Sequence, residues 1–156
     1  MSNRSKDELI GEITAALRAM QVAGDLFDDA SAELLGVNRT DHRVLDILDQ
    51  DGPMTAGLLA ARNHLSPAAM TTAIDRLEDK GYARRFPDPD DRRRVLVEIT
   101  PLARRRSMKI YGPLAEQAQK LASRYTAEEL EAIARFATDA TMINAEELQR
   151  LKARTR

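Results

Sequence analysis

A chain of 156 residues, 43% of them apolar, is long enough to bury one core without covalent staples. It has no cysteine, and its two histidines, His42 and His64, lack ligand-type spacing, so disulfide scaffolds, thiol chemistry and cysteine-rich zinc sites are excluded. The net charge of −1 conceals a gradient: residues 1–50 carry five basic against ten acidic residues, residues 51–106 eleven against eight, so positive charge gathers mid-chain, where it could meet phosphate.

The first residues, Met1 to Glu8, are polar and carry no apolar segment of signal-peptide type. No later run approaches the roughly 18 apolar residues of a membrane span, and a cytoplasmic protein with no membrane partner is expected. Ser5 and Glu8 stand three apart in a capping-box pattern. Behind them Leu9, Ile13, Leu17, Met20, Phe27 and Leu34 recur near helical spacing, interrupted by Gly24. A helix from about 6 to 35 would be about 45 Å long at 1.5 Å per residue. One small domain cannot cover such a stripe, so part of it should face a second subunit.

Thr40 is read as the N-cap of a helix through Gln50, with Val44, Leu45 and Leu48 inward and Asp51-Gly52-Pro53 as its stop. Thr55 caps a short helix with Leu58, Leu59 and Ala60 on its buried side, and Asn63-His64 is a turn. Ser66-Pro67 is a strong start, an N-cap followed by proline at the first helical position. This helix runs to Lys80, with Gly81 as C-cap and Met70, Ala73, Ile74 and Leu77 inward. Two helices of this size across a tight turn form a helix-turn-helix.

Tyr82 to Phe86 and Val95 to Ile99 read as strands, joined by a polar, proline-rich loop from Pro87 to Arg94. A hairpin directly after the second helix gives the order of a winged helix. Thr100-Pro101 starts another helix, which Gly112-Pro113 should kink or break. Thr126 to Glu129 is a second capping box. It opens a last helix striped by Leu130, Ile133, Phe136, Ile143, Leu148 and Leu151. The predicted fold is mainly α with a small β-hairpin wing, a winged helix-turn-helix plus a helical dimerisation region.

The run Leu65 to Tyr82, with its Leu77-Glu78-Asp79-Lys80-Gly81 helix end, then Arg85, Asp91-Arg92-Arg93 and Val95 to Thr100, resembles the MarR family of multiple-antibiotic-resistance-type regulators. The helix end and the wing at this spacing are specific together and weak apart. The resemblance implies a homodimer, with residues 1–38 and 101–156 as the intertwined dimerisation region and 39–100 as the DNA-binding domain. It also implies control by a small aromatic or anionic effector at the junction of the two regions.

A helix in the major groove reads base edges with its outward face, mainly near its N-terminus. Here that face offers Ala68, Ala69, Thr71, Thr72, Asp75 and Arg76, and Ser66 with its neighbouring amides makes a phosphate site. The two threonines could instead be plain solvated surface; the wing beside them favours contact. Arg76 either meets DNA or pairs within the helix with Asp75, Asp79 or the neighbours of Lys80, the Asp79 pair being worth only about 0.2–0.5 kcal/mol, and the DNA role is preferred. Arg92, Arg93 and Arg94 suit a narrow minor groove, Arg93 by insertion and Arg92 at phosphate. Asp91, which repels a polyanion, is assigned to pairing with Arg85 and so bracing the wing, an arrangement the resemblance also implies. No nucleophile–base pair, Gly-rich phosphate loop or acidic metal cluster is present, so no cofactor, metal or enzymatic activity is expected. The expected function is a ligand-responsive repressor binding double-stranded DNA at a palindromic operator. The alternative is a winged-helix protein–protein adaptor.

Overall fold

A computed structural model describes residues 4–154 of the chain. The outermost ends of the helical regions expected over 1–38 and 101–156, and the first three residues of the polar N-terminus, lie outside the described residues. Contacts divide the chain into two compact units, Met1–Ile110 and Tyr111–Arg156.

In the first unit, α1 (Lys6–Leu35) begins at the expected capping box: Ser5 Oγ accepts from the Glu8 amide and Glu8 accepts from the Ser5 amide. The helix runs through Gly24 and ends at Gly36, whose φ of 68° is the left-handed conformation that glycine adopts cheaply. Helix α2 (Arg39–Asp51) is capped by Asn38, two residues before the expected Thr40. Asn38 Oδ1 accepts from the Asp41 amide at 2.8 Å and its amide nitrogen donates to Asp41 Oδ2 at 3.0 Å. That reciprocal pair is why asparagine prevails over threonine as cap.

Met54–Thr55 form β1, and Thr55 also caps α3 (Ala56–Asn63). Leu59, Ala60 and Asn63 are buried, whereas Leu58, expected inward, is 48% exposed. In a two-turn helix the core takes positions i, i+1 and i+4, and Leu58 lies off that face. Helix α4 (Pro67–Asp79) starts at the Ser66 cap as expected and buries Met70, Ala73, Ile74 and Leu77. It ends in a Schellman motif: the Tyr82 amide donates to the Leu77 carbonyl and the Gly81 amide to that of Glu78.

Strands β2 (Ala83–Pro87) and β3 (Val95–Ile99) are antiparallel, with Arg85 opposite Val97. Strand β1 pairs with the other edge of β3, Met54 opposite Val97, making a three-stranded sheet of order β1-β3-β2 rather than a bare hairpin. Val44, Leu45, Leu48, Leu59, Met70, Ile74, Leu77, Tyr82, Val97, Ile99 and Ala103 form one core. Each large aliphatic side chain there contributes roughly 1.5–3 kcal/mol. The helix-turn-helix and its wing are thus joined by a shared apolar interior.

Helix α5 (Pro101–Ala122) contains Pro113 without ending there, so of the expected kink or break the break does not occur. Pro113 carries no N–H for the Lys109 carbonyl one turn back, and the two compact units divide next to that residue, between Ile110 and Tyr111. In the second unit α6 (Ala127–Arg154) opens at its capping box, with Thr126 and Glu129 exchanging side-chain-to-amide bonds. Among the described residues no helix is long and apolar enough to cross a membrane.

The end of α4 generates a test. Gly81 has φ 69°, and a Cβ placed there would meet only Leu102 at 3.8 Å, an ordinary contact. The cost of Gly81→Ala is therefore torsional, about 1 kcal/mol, and urea denaturation should show that loss with the m-value unchanged.

Candidate nucleic-acid interface

Ser66, Ala68, Ala69, Thr71 and Thr72 are all exposed on one face of the first turns of α4. At the helix start Ser66 Oγ accepts from the Ala69 amide at 3.2 Å and the Ser66 carbonyl from that of Met70 at 3.0 Å. Pro67 has no N–H, so among the described residues the Ala68 amide is the donor left at this terminus. It points along the positive end of the helix dipole, the arrangement that favours an anion. Thr71 donates its hydroxyl to the Pro67 carbonyl at 3.0 Å, and Thr72 to that of Ala68 at 3.1 Å. Both hydroxyl protons are thereby directed back along the helix. What each threonine offers outward is a methyl group and an acceptor lone pair, which suit a thymine methyl or a base amino group better than a phosphate oxygen.

Arg76 is placed differently from the sequence expectation. It pairs neither with Asp79 nor with solvent alone: Nε donates to Asp41 Oδ2 at 2.9 Å and Nη2 to Asp41 Oδ1 at 2.5 Å. Asp41 is only 2% exposed and belongs to the first turn of α2. The hydrogen bond to Asp41 raises the Arg76 pKa further, so the guanidinium is a fixed cation. The fork-to-carboxylate geometry sets the angle of α4 on α2, which makes Arg76 a positioning residue for the exposed face of α4. Asp41 itself is absent from the sequence reading. Its one local signal is its place three residues after Asn38.

The expected Arg85–Asp91 brace is corrected. Arg85 donates from its backbone to Glu78 Oε1 at 2.7 Å, from Nη1 to Glu78 Oε2, and from Nη2 to Asp75 Oδ1 at 2.7 Å. Burial opposes its charge, but Asp75 and Glu78 outweigh that and raise its pKa. Arg85 therefore ties β2 to the end of α4 and neutralises Asp75, an outward carboxylate that would repel phosphate. Asp91 lies beyond β2, in the loop. There its carboxylate accepts from the Arg93 amide at 3.1 Å and its carbonyl from the Arg94 amide at 2.8 Å. The buried Asp88 closes the loop from below: its amide donates to the Arg94 carbonyl at 3.0 Å and its carboxylate accepts from the Asp90 amide at 3.0 Å. Two aspartates thus hold the wing loop through its backbone.

That leaves the three arginines unequal. Arg94 Nε lies 3.6 Å from Asp88 Oδ2. Among the described residues no carboxylate pairs with the Arg92 or Arg93 guanidinium, and both side chains are exposed. No hydrogen bond or ion pair, among the described residues, joins them to the outward face of α4. The two surfaces are linked through Arg85 and the core.

The MarR family model matches residues 37–95, from the turn before α2 to the first residue of β3. The HTH-type transcriptional regulator YcgE of Bacillus subtilis is 40% identical over 153 residues, covering 97% of this chain and 99% of its own. The chain belongs to the MarR family. It is a winged helix-turn-helix transcriptional regulator, as the motif in α4 and the wing led us to expect. A second relative, the HTH-type transcriptional repressor MdtR of Bacillus subtilis, is 29% identical over 62% of this chain and 63% of its own. The fold also matches that of a MepR mutant from S. aureus solved bound to an oligodeoxyribonucleotide, with TM-score 0.55 and 21% identity over 85% of this chain and 96% of that one.

Removing Arg76 would leave the Asp41 carboxylate buried and half-satisfied. Arg76→Gln should cost about 1–3 kcal/mol, below the figure for a fully buried pair because the arginine is itself 43% exposed. Urea melts of R76Q, D41N and the double variant should show the double variant more stable than the two single losses sum to; simple additivity would refute the pair.

Proposed function

We propose that this MarR-family chain is a homodimeric repressor that reads a palindromic operator in double-stranded DNA and releases it when a small effector binds. The observation that carries the DNA-binding reading is the inequality on the basic surface. Asp41, Asp75 and Glu78 neutralise Arg76 and Arg85, while among the described residues no carboxylate pairs with the exposed Arg92 and Arg93 of the wing, and the first turns of α4 are exposed as well.

In this reading residues 39–100 are the DNA-binding domain. Ser66 and the Ala68 amide hold a phosphate, and Ala68, Ala69, Thr71 and Thr72 meet base edges in the major groove. Arg93 inserts into the flanking minor groove, with Arg92 and Arg94 at its phosphates. The MepR mutant seen on an oligodeoxyribonucleotide supports DNA binding by this fold, and the name of MdtR supports repression.

Residues 1–38 and 101–156 are proposed to dimerise. Ile10, Ile13, Val22 and Leu26 of α1 are 52%, 44%, 61% and 65% exposed, and Ile133, Phe136 and Ile143 of α6 46%, 46% and 61%. Apolar stripes of that extent are not left in water by a stable monomer. A two-fold axis would place two α4 helices in successive major grooves, about 34 Å apart. The protein acts in the cytoplasm by occupying DNA, and we assign it no catalytic step and no cofactor.

Selection from a random DNA pool followed by fluorescence anisotropy tests this reading. A palindromic consensus bound with two chains per site is the expected result; no sequence preference at low salt would favour the adaptor alternative. Arg93→Ala should weaken binding about tenfold where the flank is A·T-rich and several-fold less where it is G·C-rich. Equal losses on both flanks would remove the minor-groove assignment.

A further inference from the structure

A cavity of about 370 Å³ opens in the first unit between α1, α2 and the end of α3. Its size lies within the range of small-molecule sites. Its chemistry does not suit an aromatic or an anionic guest. Among the described residues Leu65 is the one apolar side chain lining it, and the acids Asp25, Asp28 and Asp46 outnumber the cations Arg39 and Arg43. Arg39 is already held by Asp25 at 2.9 Å and lies 3.4 Å from Asp29.

One lining group is unsatisfied. Asn63 is 6% exposed and donates its side-chain N–H to the Leu59 carbonyl at 2.9 Å, while its Oδ1 has no hydrogen-bond partner. A buried acceptor left unpaired is costly, so this oxygen, on a residue that lines the cavity, calls for a donor. The neighbouring charges ask for the same kind of guest. Burial raises the Asp46 pKa, the His42 ring 3.3 Å away and Arg43 oppose that, and the nearby Asp28 and Asp49 carboxylates add to it. A positive group between Asp28 and Asp46 would relieve their repulsion.

We propose that this cavity binds a small organic cation, an alkylammonium or guanidinium, whose N–H groups donate to Asn63 Oδ1 and whose charge is held by Asp28 and Asp46. The site borders the DNA-reading helix: Leu65 precedes Ser66, the cap of α4. An effect of the cation on DNA rests on the ligand-responsive reading above; the binding itself does not.

Isothermal titration of the full chain with agmatine and with putrescine, against benzoate as the anionic comparison, tests the site. Agmatine is expected to saturate at one per chain, with affinity falling as the pH is lowered and Asp46 takes up a proton. Asn63→Ser and Asp28→Asn should each weaken it about tenfold, the second guarding against a folding defect in the first, while Asp90→Asn in the wing leaves it unchanged. Benzoate binding in place of the cations would overturn the ligand class, and no binding by any of the three would overturn the site. Anisotropy with operator DNA is read separately. Saturable cation binding that leaves DNA affinity unchanged upholds the site and removes only its role in release.

Discussion

The ion pair between Asp41 and Arg76 is the constraint on which the placement of α4 and its exposed face depends. Helices α2 and α4 meet through aliphatic side chains, which resist separation but specify rotation and sliding only loosely. A forked guanidinium on a carboxylate that is 2% exposed has essentially one good geometry. Its net contribution to stability is modest, because desolvating the charges offsets much of their attraction. Its contribution to direction is larger: it fixes the angle at which α4 presents the outward face that its apolar period leaves exposed. Arg85 repeats the device at the other side of α4, joining β2 to Asp75 and Glu78. Helix and wing are thus oriented by charge and held together by the core.

What the sequence makes legible follows from the range of each interaction. Ser5 with Glu8, Ser66 with Pro67 and Thr126 with Glu129 announce helix starts because each device acts within three residues. The inward face of α4 is equally plain from its period. Asp41 and Arg76 are 35 residues apart, and no local pattern joins them. Strand β1 is two residues long, too short for an alternating pattern, and exists only because β3 offers it an edge. The Arg85 assignment failed for a related reason: Glu78, in the preceding helix, lies nearer in space than Asp91 beyond the strand. Asn38 is the less legible cap, because Thr40 also has a capping side chain and only the reciprocal bond to Asp41 decides between them.

The same geometry explains how a chain with net charge −1 can face a polyanion. Summed charge matters less than which charges remain uncompensated within a Debye length of the contact, roughly 8–10 Å. Arg62, Arg76, Arg84, Arg85 and Arg104 each have a carboxylate partner, so five of the eleven cations between residues 51 and 106 are locally compensated. The wing departs from this pattern. Asp88 and Asp91 sit within its loop, yet they bond chiefly to backbone amides, which stiffens the turn while leaving Arg92 and Arg93 exposed. Pre-ordering the loop in this way lowers the entropy cost of placing an arginine in a groove.

The first turn of α2 brings these threads together. Asn38 caps it, Arg39 reaches Asp25 of α1, Asp41 holds Arg76 of α4, and His42, buried, lies 3.3 Å from Asp46 beside the acidic cavity. Asp41 and His42 are adjacent, so the residue that orients the reading helix and a residue lining the cavity share one rigid turn. A guest alters DNA affinity only if it binds two arrangements of that turn unequally. The Asp41–Arg76 pair supplies the condition, since a short, directional contact is either made or lost and does not stretch smoothly as a greasy contact does. Whatever shifts that turn against α1 acts on the angle of α4 through the same two hydrogen bonds.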